Sequence, residues 1–186
     1  MTIATAANDW VNTVDSQNPE VIEKAQHLLA GTIYCTLSTC SADGLPWASP
    51  LFFAYDPSWT LYWASAIACQ HSQNLAANQG RGAIAIYSTQ PEVGKGQGLY
   101  LTGTATELGP ENVSRVISLL DQRSRPGPQR RAAAYLPPSP RRLYQFTPQM
   151  VWITGERQAV NDPDLAEVLV DTKIQLDLTT LVAATL

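Results

Sequence analysis

The sequence is poor in the residues that build metal centres, disulfide frameworks and membrane spans. Of its 186 residues only two are histidine and three are cysteine. Cys35, Cys40 and Cys69 are odd in number and lack zinc-finger spacing, so reduced thiols in a cytoplasmic protein are expected, with no metal site. No window approaches the ~18 consecutive apolar residues of a membrane helix. The first residues, MTIATAANDW, have no basic region followed by an apolar run, so no signal peptide is expected. A basic surplus is missing as well: the net charge of -4 argues against general nucleic-acid binding. There is no G-x-S-x-G, no H-E-x-x-H and no paired-carboxylate motif, which removes the common hydrolytic chemistries. What is present is an apolar content of 45%, ordinary for a folded protein, in a chain of the length of one domain.

Hydrophobic periodicity divides the chain. Asn18-Pro19 reads as a cap and first turn, Val21, Ile22, Ala25, Leu28 and Leu29 share one helical face, and Gly31 is placed to end the helix. His27 falls off that face and is expected in solvent. From Ile33 the period becomes two, with Ile33, Cys35 and Leu37 alternating against Tyr34, Thr36 and Ser38. Ser41-Ala42-Asp43-Gly44 signals a turn into a second strand, about Trp47 to Tyr55, whose apolar faces predict a central or doubly covered position. Asp56-Pro57-Ser58-Trp59 suits a type I turn. Further strands are expected at Leu61 to Ala64, Gly82 to Ser88 and Leu99 to Glu107, where the interior Gly103 predicts a sharp bend. The GKGQG between the last two lacks the spacing of a phosphate loop and is expected to be a hairpin loop. Pro110 opens a helix carrying Val113, Val116, Ile117 and Leu120, and Leu143 to Phe146 and Met150 to Thr154 read as strand pieces split by Pro148. A helix is expected near Leu165 to Val170. The apolar tail LTTLVAATL must pack on this subunit or a neighbour. These elements predict a mainly β protein with helices (α+β), a six-stranded antiparallel split β-barrel with flanking helices.

The stretch LYWASAIACQHSQNLAAN, Leu61 to Asn78, is a short aromatic strand feeding a helix from about His71. Such a junction leaves backbone N–H groups unpaired at the positive end of the helix dipole and suits an anion, most often a phosphate. Ser65, Gln70, His71 and Ser72 supply hydroxyl, amide and imidazole donors there. The same residues also suit an ordinary strand-to-helix connection with local capping. Two readings also attach to Arg123–Arg142, which holds six of the twelve basic residues and five prolines. It is a solvated connection, or a basic rim for an anionic substrate or cofactor tail.

Four segments in order, DGLPWASPLFFAYD, LYWASAIACQHSQNLAAN, QGLYLTGTATEL and FTPQMVWITGE, resemble the pyridoxamine 5′-phosphate oxidase-like, FMN-binding split-barrel family over about residues 20–157. Residues 158–186 form a C-terminal extension of the one domain, 1–186. The resemblance implies a homodimer with FMN in clefts at the subunit interface and a phosphate at the Leu61–Asn78 junction. Carried onto this chain, Ser49, Pro50, Leu51, Phe52 and Phe53 line the isoalloxazine, mostly through backbone groups. Ser65 takes the place of a threonine or serine near the phosphate. Cys69-Gln70-His71 replaces a serine, arginine and lysine. Gln97 from the partner, and Trp152, approach the flavin ring. The implied function is oxidoreduction of a small molecule by the flavin, with no catalytic residue assigned. The same fold also admits a non-catalytic flavin- or haem-binding module, or a deazaflavin-dependent reductase.

The departures narrow this. Gln70-His71 removes fixed positive charge from the phosphate site, so FMN binding is expected to be weaker and pH-dependent. GERQAVNDP stands where the oxidases hold their pyridoxal phosphate substrate with an Arg-x-His-Asp-Arg-like segment. A true pyridoxamine phosphate oxidase is therefore not expected. Cys69 is expected to be a small buried thiol rather than a nucleophile.

Overall fold

The computed structural model describes residues 11–92, 94–124, 126–127, 129–159 and 168–185. Helix α1, Pro19–Gly31, starts where Asn18 Oδ1 accepts the Glu20 N–H, and it buries Val21, Ile22, Ala25 and Leu29 as the apolar spacing predicts. Its last carbonyls are not left to water. The Arg123 guanidinium donates to Leu29 O at 2.6 Å and Thr32 O at 2.5 Å while stacking over Phe53 and Tyr55. His27 is exposed, 3.8 Å from Glu23 one turn away.

Strand β1 is Val11–Asn12, β2 Tyr34–Cys40, β3 Pro46–Phe52, β4 Ala54–Tyr55 and β5 Leu61–Ala66. Helix α2, Gln70–Ala77, follows β5; β6 is Arg81–Tyr87 and β7 Gly98–Glu107, joined by the expected hairpin loop. Helix α3, Val113–Arg123, leads to β8, Arg141–Ala159, then β9, Leu169–Leu176, and α4, Leu178–Ala183. The nine described strands form one sheet in the order β1-β9-β8-β7-β6-β2-β3, with β5 pairing both β4 and β8. β3 and β4 are one strand interrupted at Phe53. Its first part pairs with β2 and its second with β5, so the ring closes through the chain itself and not through a continuous ladder. That is a split barrel. β3/β4, β2, β6, β7, β8 and β5 form the ring, and its interior holds Leu37, Phe53, Leu61, Trp63, Ile86, Leu101 and Phe146.

Several expectations are corrected. The segment from Trp47 to Tyr55 is neither unbroken nor central in this chain. β3 ends the ladder path, with Trp47 48% exposed and Ala48 and Pro50 also exposed. Its apolar outer face is thus open, and the pattern recorded an uncovered surface rather than a second layer. Pro148 does not split β8, which runs through all 19 residues. Proline is tolerated there because it faces Gly103 where the β7–β8 register shifts, a position at which no ladder N–H is required. The first half of the helix expected at Leu165 to Val170 falls on 165–167, outside the described residues, while Val168 is irregular and Leu169 and Val170 begin β9 instead. Val170 pairs with Gln158, and a short apolar run does not distinguish a strand from a helix. The apolar tail packs on its own chain. Leu181 is fully buried, and Thr185 Oγ1 accepts the Trp59 indole N–H at 3.0 Å.

The Gly103–Pro148 approach is the tightest constraint on the ring, since a Cβ on Gly103 would collide with the Thr147 carbonyl oxygen. Gly103→Ala is therefore expected to cost about 3 kcal/mol. For a chain of this size that lowers Tm by roughly 6–12 °C in a thermal scan. An unchanged Tm would mean that the approach is not a constraint.

Candidate functional site

β3 and β5 share no ladder, and α2 lies across the gap between them. Its His71 makes the bridge. Nδ1 is 3.0 Å from Ser49 Oγ on β3, and Nε2 is 2.7 Å from Ser65 Oγ on β5. The imidazole, 8% exposed, and both serines are buried. Trp47 Nε1 donates to Ser49 Oγ at 3.0 Å. With that lone pair occupied, the Ser49 proton can go to Nδ1 and the Nε2 proton to Ser65, which satisfies the imidazole as a neutral ring. Burial pushes the His71 pKa below its ordinary value, in the same direction.

Cys69 is the N-cap of α2, and its side chain accepts no hydrogen bond from the helix N–H groups. It is half-exposed rather than buried. Its thiol donates to Ala66 O at 2.9 Å and lies 3.1 Å from both His71 Nε2 and Ser72 Oγ. Ser72 is buried beside Tyr144, whose pKa is raised by burial with the Ser72 hydroxyl acting the other way. Tyr144 stacks on Trp63, ring centroids 5.7 Å apart. Gln70 points along the helix, donating to Asn74 Oδ1 at 2.8 Å, and Asn74 in turn donates to Thr39 Oγ1 on β2 at 3.0 Å. Among the described residues, the backbone N–H groups of Gln70, His71 and Ser72 meet no acceptor. Three donors at the positive end of a helix, beside serine hydroxyls, make an anion-binding arrangement.

The structure thus gathers Ser49, Ser65, Gln70, His71 and Ser72 at one end of the barrel. On β3, Leu51 faces the core, Pro50 is exposed and Phe52 is half-buried, with Tyr34 edge-on at 6.1 Å and the Arg130 guanidinium over its ring. Gln97 and Trp152 are not part of this group within one chain. Gln97 lines a cavity at the other end of the barrel, and Trp152 is buried on β8 opposite Tyr100 and Gln175. Three of the six arginines of the basic segment are engaged internally, Arg123 on carbonyls, Arg130 on Asp121 at 2.5 Å and Arg142 on Glu107 at 2.8 Å, while Arg131 and Arg141 are exposed. The sequence reading did not single out Trp47, Tyr144 or Arg142. Trp47 lies two residues before Ser49, so period-two spacing marks it. Tyr144 and Arg142 are brought to Trp63 and Ser65 by the β5–β8 ladder, for which no local signal exists.

With this geometry in view, the chain belongs to the pyridoxamine 5′-phosphate oxidase family, whose sequence profile matches residues 21–155. No curated protein matches it significantly. It is similar in structure to a haem-binding protein from Mycobacterium smegmatis, at 20% identity and TM-score 0.62, over 89% of this chain and 61% of that one. The chain therefore spans less than two thirds of that protein's length. It is also similar to the haem storage protein HutZ from Vibrio cholerae, at 19% identity and TM-score 0.52, over 73% of this chain and 92% of that one. An F420 reductase is similar at 21% identity and TM-score 0.52, over 68% of this chain and 94% of that one. At these identities the likeness shows the fold. No described helix is long and apolar enough to cross a membrane.

The depressed His71 pKa gives a signed pH dependence. The imidazole is neutral in both states above the unfolded value of ~6.5, so its contribution to stability is fully present there. It is lost as the pH falls below that value towards the lower folded pKa, because the unfolded chain binds the proton more readily. Urea midpoints should drop between pH 7.5 and pH 5, and the drop should shrink in His71→Gln. Equal drops in the two proteins would show that His71 is not the group responsible.

Proposed function

We propose that the protein binds FMN in a homodimer, with the phosphate at the start of α2, and uses it for oxidoreduction of a small molecule. The observation carrying this reading is the set of unpartnered N–H groups of Gln70, His71 and Ser72 beside the Ser49–His71–Ser65 bridge. The residues present fit a phosphate. Backbone N–H groups and the Ser65 and Ser72 hydroxyls supply donors, and the half-exposed Cys69 leaves an approach. They supply it without fixed charge, because His71 is held neutral and Arg142 is engaged by Glu107. With no fixed cationic side chain to pair with the phosphate, the site lacks a built-in ion pair, so modest affinity is expected.

When bound, the flavin supplies hydride or electron transfer. The chain's own residues would orient it. The unpaired edge of β3, beside the exposed Ala48 and Pro50, offers backbone groups to a planar ring, and Gln97 and Trp152 belong to the contribution of a second subunit. The open apolar edge at Trp47 and Tyr34 supports such a dimer.

Two neighbours in fold are named as haem proteins, which makes haem the competing ligand. This chain's histidines do not favour it. Both nitrogens of His71 are engaged by serines, and His27 is exposed beside Glu23. For a longer-tailed deazaflavin, three arginines of Arg123–Arg142 are occupied internally, which leaves the exposed Arg131 and Arg141 of the described residues as the basic rim.

An absorption spectrum after loading with FMN and dialysis tests the reading: bands near ~370 and ~450 nm are expected. A sharp band near ~410 nm after haem loading, with no flavin retained, would overturn it. His71→Ala removes the tie between the two serines, and FMN affinity should fall about tenfold, equivalent to ~1.4 kcal/mol, in a fluorescence titration. Sedimentation at micromolar concentration should give a dimer, whereas a monomer retaining FMN would contradict the shared cleft.

A further inference from the structure

The Ser49–His71–Ser65 bridge restricts where its protons can lie. A neutral imidazole donates through one nitrogen and accepts through the other. Ser49 Oγ accepts the Trp47 indole N–H at 3.0 Å and gives its own proton to His71 Nδ1, also at 3.0 Å. That hydroxyl therefore has no proton left for a ligand. A hydroxyl carries one donor and two acceptor lone pairs, so a second arrangement satisfies the same groups. With a proton on Nδ1, Ser49 accepts from both Trp47 and His71, and its O–H is released. Ser65 continues to accept the Nε2 proton at 2.7 Å. The heavy atoms keep their places; the change is one proton on the ring and one donor set free.

The titratable groups around the ring come from several elements. Cys69, at the cap of α2, is 3.1 Å from Nε2. Tyr144 of β8 lies beside Ser72 and is flanked by the Arg142–Glu107 pair, 2.8 Å apart. β3 brings no titratable side chain, and Tyr62 of β5 is buried in the second core, under α3. β2 brings Cys35, whose thiol burial pushes up to about 12, and Cys40 at the far end of α2. Burial, with no charged neighbour, is what lowers the His71 pKa and keeps the ligand-free ring neutral. A phosphate at the start of α2 supplies the missing opposite charge and an acceptor for the released Ser49 proton. We infer that FMN binding draws a proton onto His71, so that the bridge selects the phosphate with an imidazolium and a freed Ser49 hydroxyl. The inference rests on the phosphate reading and adds the regulation of that site: FMN is held more tightly as the pH falls. The charge is taken from water when the phosphate arrives.

Fluorescence titration of the full chain with FMN and with riboflavin between pH 7 and pH 8.5 tests this. In that range the phosphate, with a second pKa of ~6, is essentially dianionic. Uptake of a proton makes the FMN affinity fall by up to about tenfold per pH unit, while the riboflavin affinity stays flat. His71→Gln keeps a donor and an acceptor between the serines but takes no proton, so its FMN affinity should not vary with pH. A slope that persists in His71→Gln, or a flat wild-type profile, would overturn the inference. With a flat profile, a preference for FMN over riboflavin would still leave the phosphate reading standing. Equal affinities for FMN and riboflavin at pH 7 would remove the phosphate from α2 and the inference with it. Nitrogen NMR of the wild-type imidazoles keeps the test open if the variant does not fold, since the chain has two histidines and His27 is exposed. On adding FMN at pH 7, both ring nitrogens of His71 should move to the protonated range while those of His27 stay in place. A His71 nitrogen left unprotonated in the complex would overturn the inference.

Discussion

This ring closes because one strand changes partners partway, and that constraint falls on Phe53. Before it the chain pairs with β2, after it with β5, and the side chain is fully buried where the two ladders part. The parting opens a gap between β3 and β5 at the end of the barrel where α2 begins. A polar gap in an apolar wall must satisfy its own hydrogen bonds, because a buried unpaired donor or acceptor costs more than the bond returns when made. His71 meets that demand from the helix, holding Ser49 on one side and Ser65 on the other. The candidate site is therefore a consequence of how the barrel closes.

The same gap explains why the start of α2 is available to a ligand. Gln70 and Asn74 tie the helix down to Thr39, while Cys69 at the cap directs its thiol to Ala66 and leaves the first N–H groups unmet. Position and orientation are fixed by side chains that are not themselves needed as donors. The cost is charge. With a neutral imidazole in the bridge, the site must rely on geometry and on the helix dipole, which is a weaker but more selective way to hold an anion.

Much of this was legible in the sequence. Asn18-Pro19, the alternation from Ile33 and the strand-to-helix change after Ala64 are local signals, and the helices and strands follow them closely. Ser65 and His71 could be named from residue type and order, and Ser49 from the family resemblance. That His71 would join the two serines could not, since β3 and β5 meet only through the closed ring. Pro148 misled for a related reason: its tolerance depends on Gly103, more than forty residues away in another strand. The strand from Trp47 read as central because both its faces are apolar, yet it lies at an edge with Trp47 exposed, a placement set by long-range pairing. Arg123, which reads as part of a basic surface, instead closes the end of α1 and stacks on Phe53 and Tyr55. Long-range pairing, not composition, decided each case.

The central claim is that α2 holds the phosphate of the cofactor, and comparing FMN with riboflavin tests it most directly. The two share the ring and differ in the phosphate alone. Fluorescence titration of the purified protein should give FMN an affinity about a hundredfold higher than riboflavin, the scale of one or two hydrogen bonds to a charged group. Equal affinities would show that the N–H groups of Gln70, His71 and Ser72 hold no phosphate, and would contradict the account.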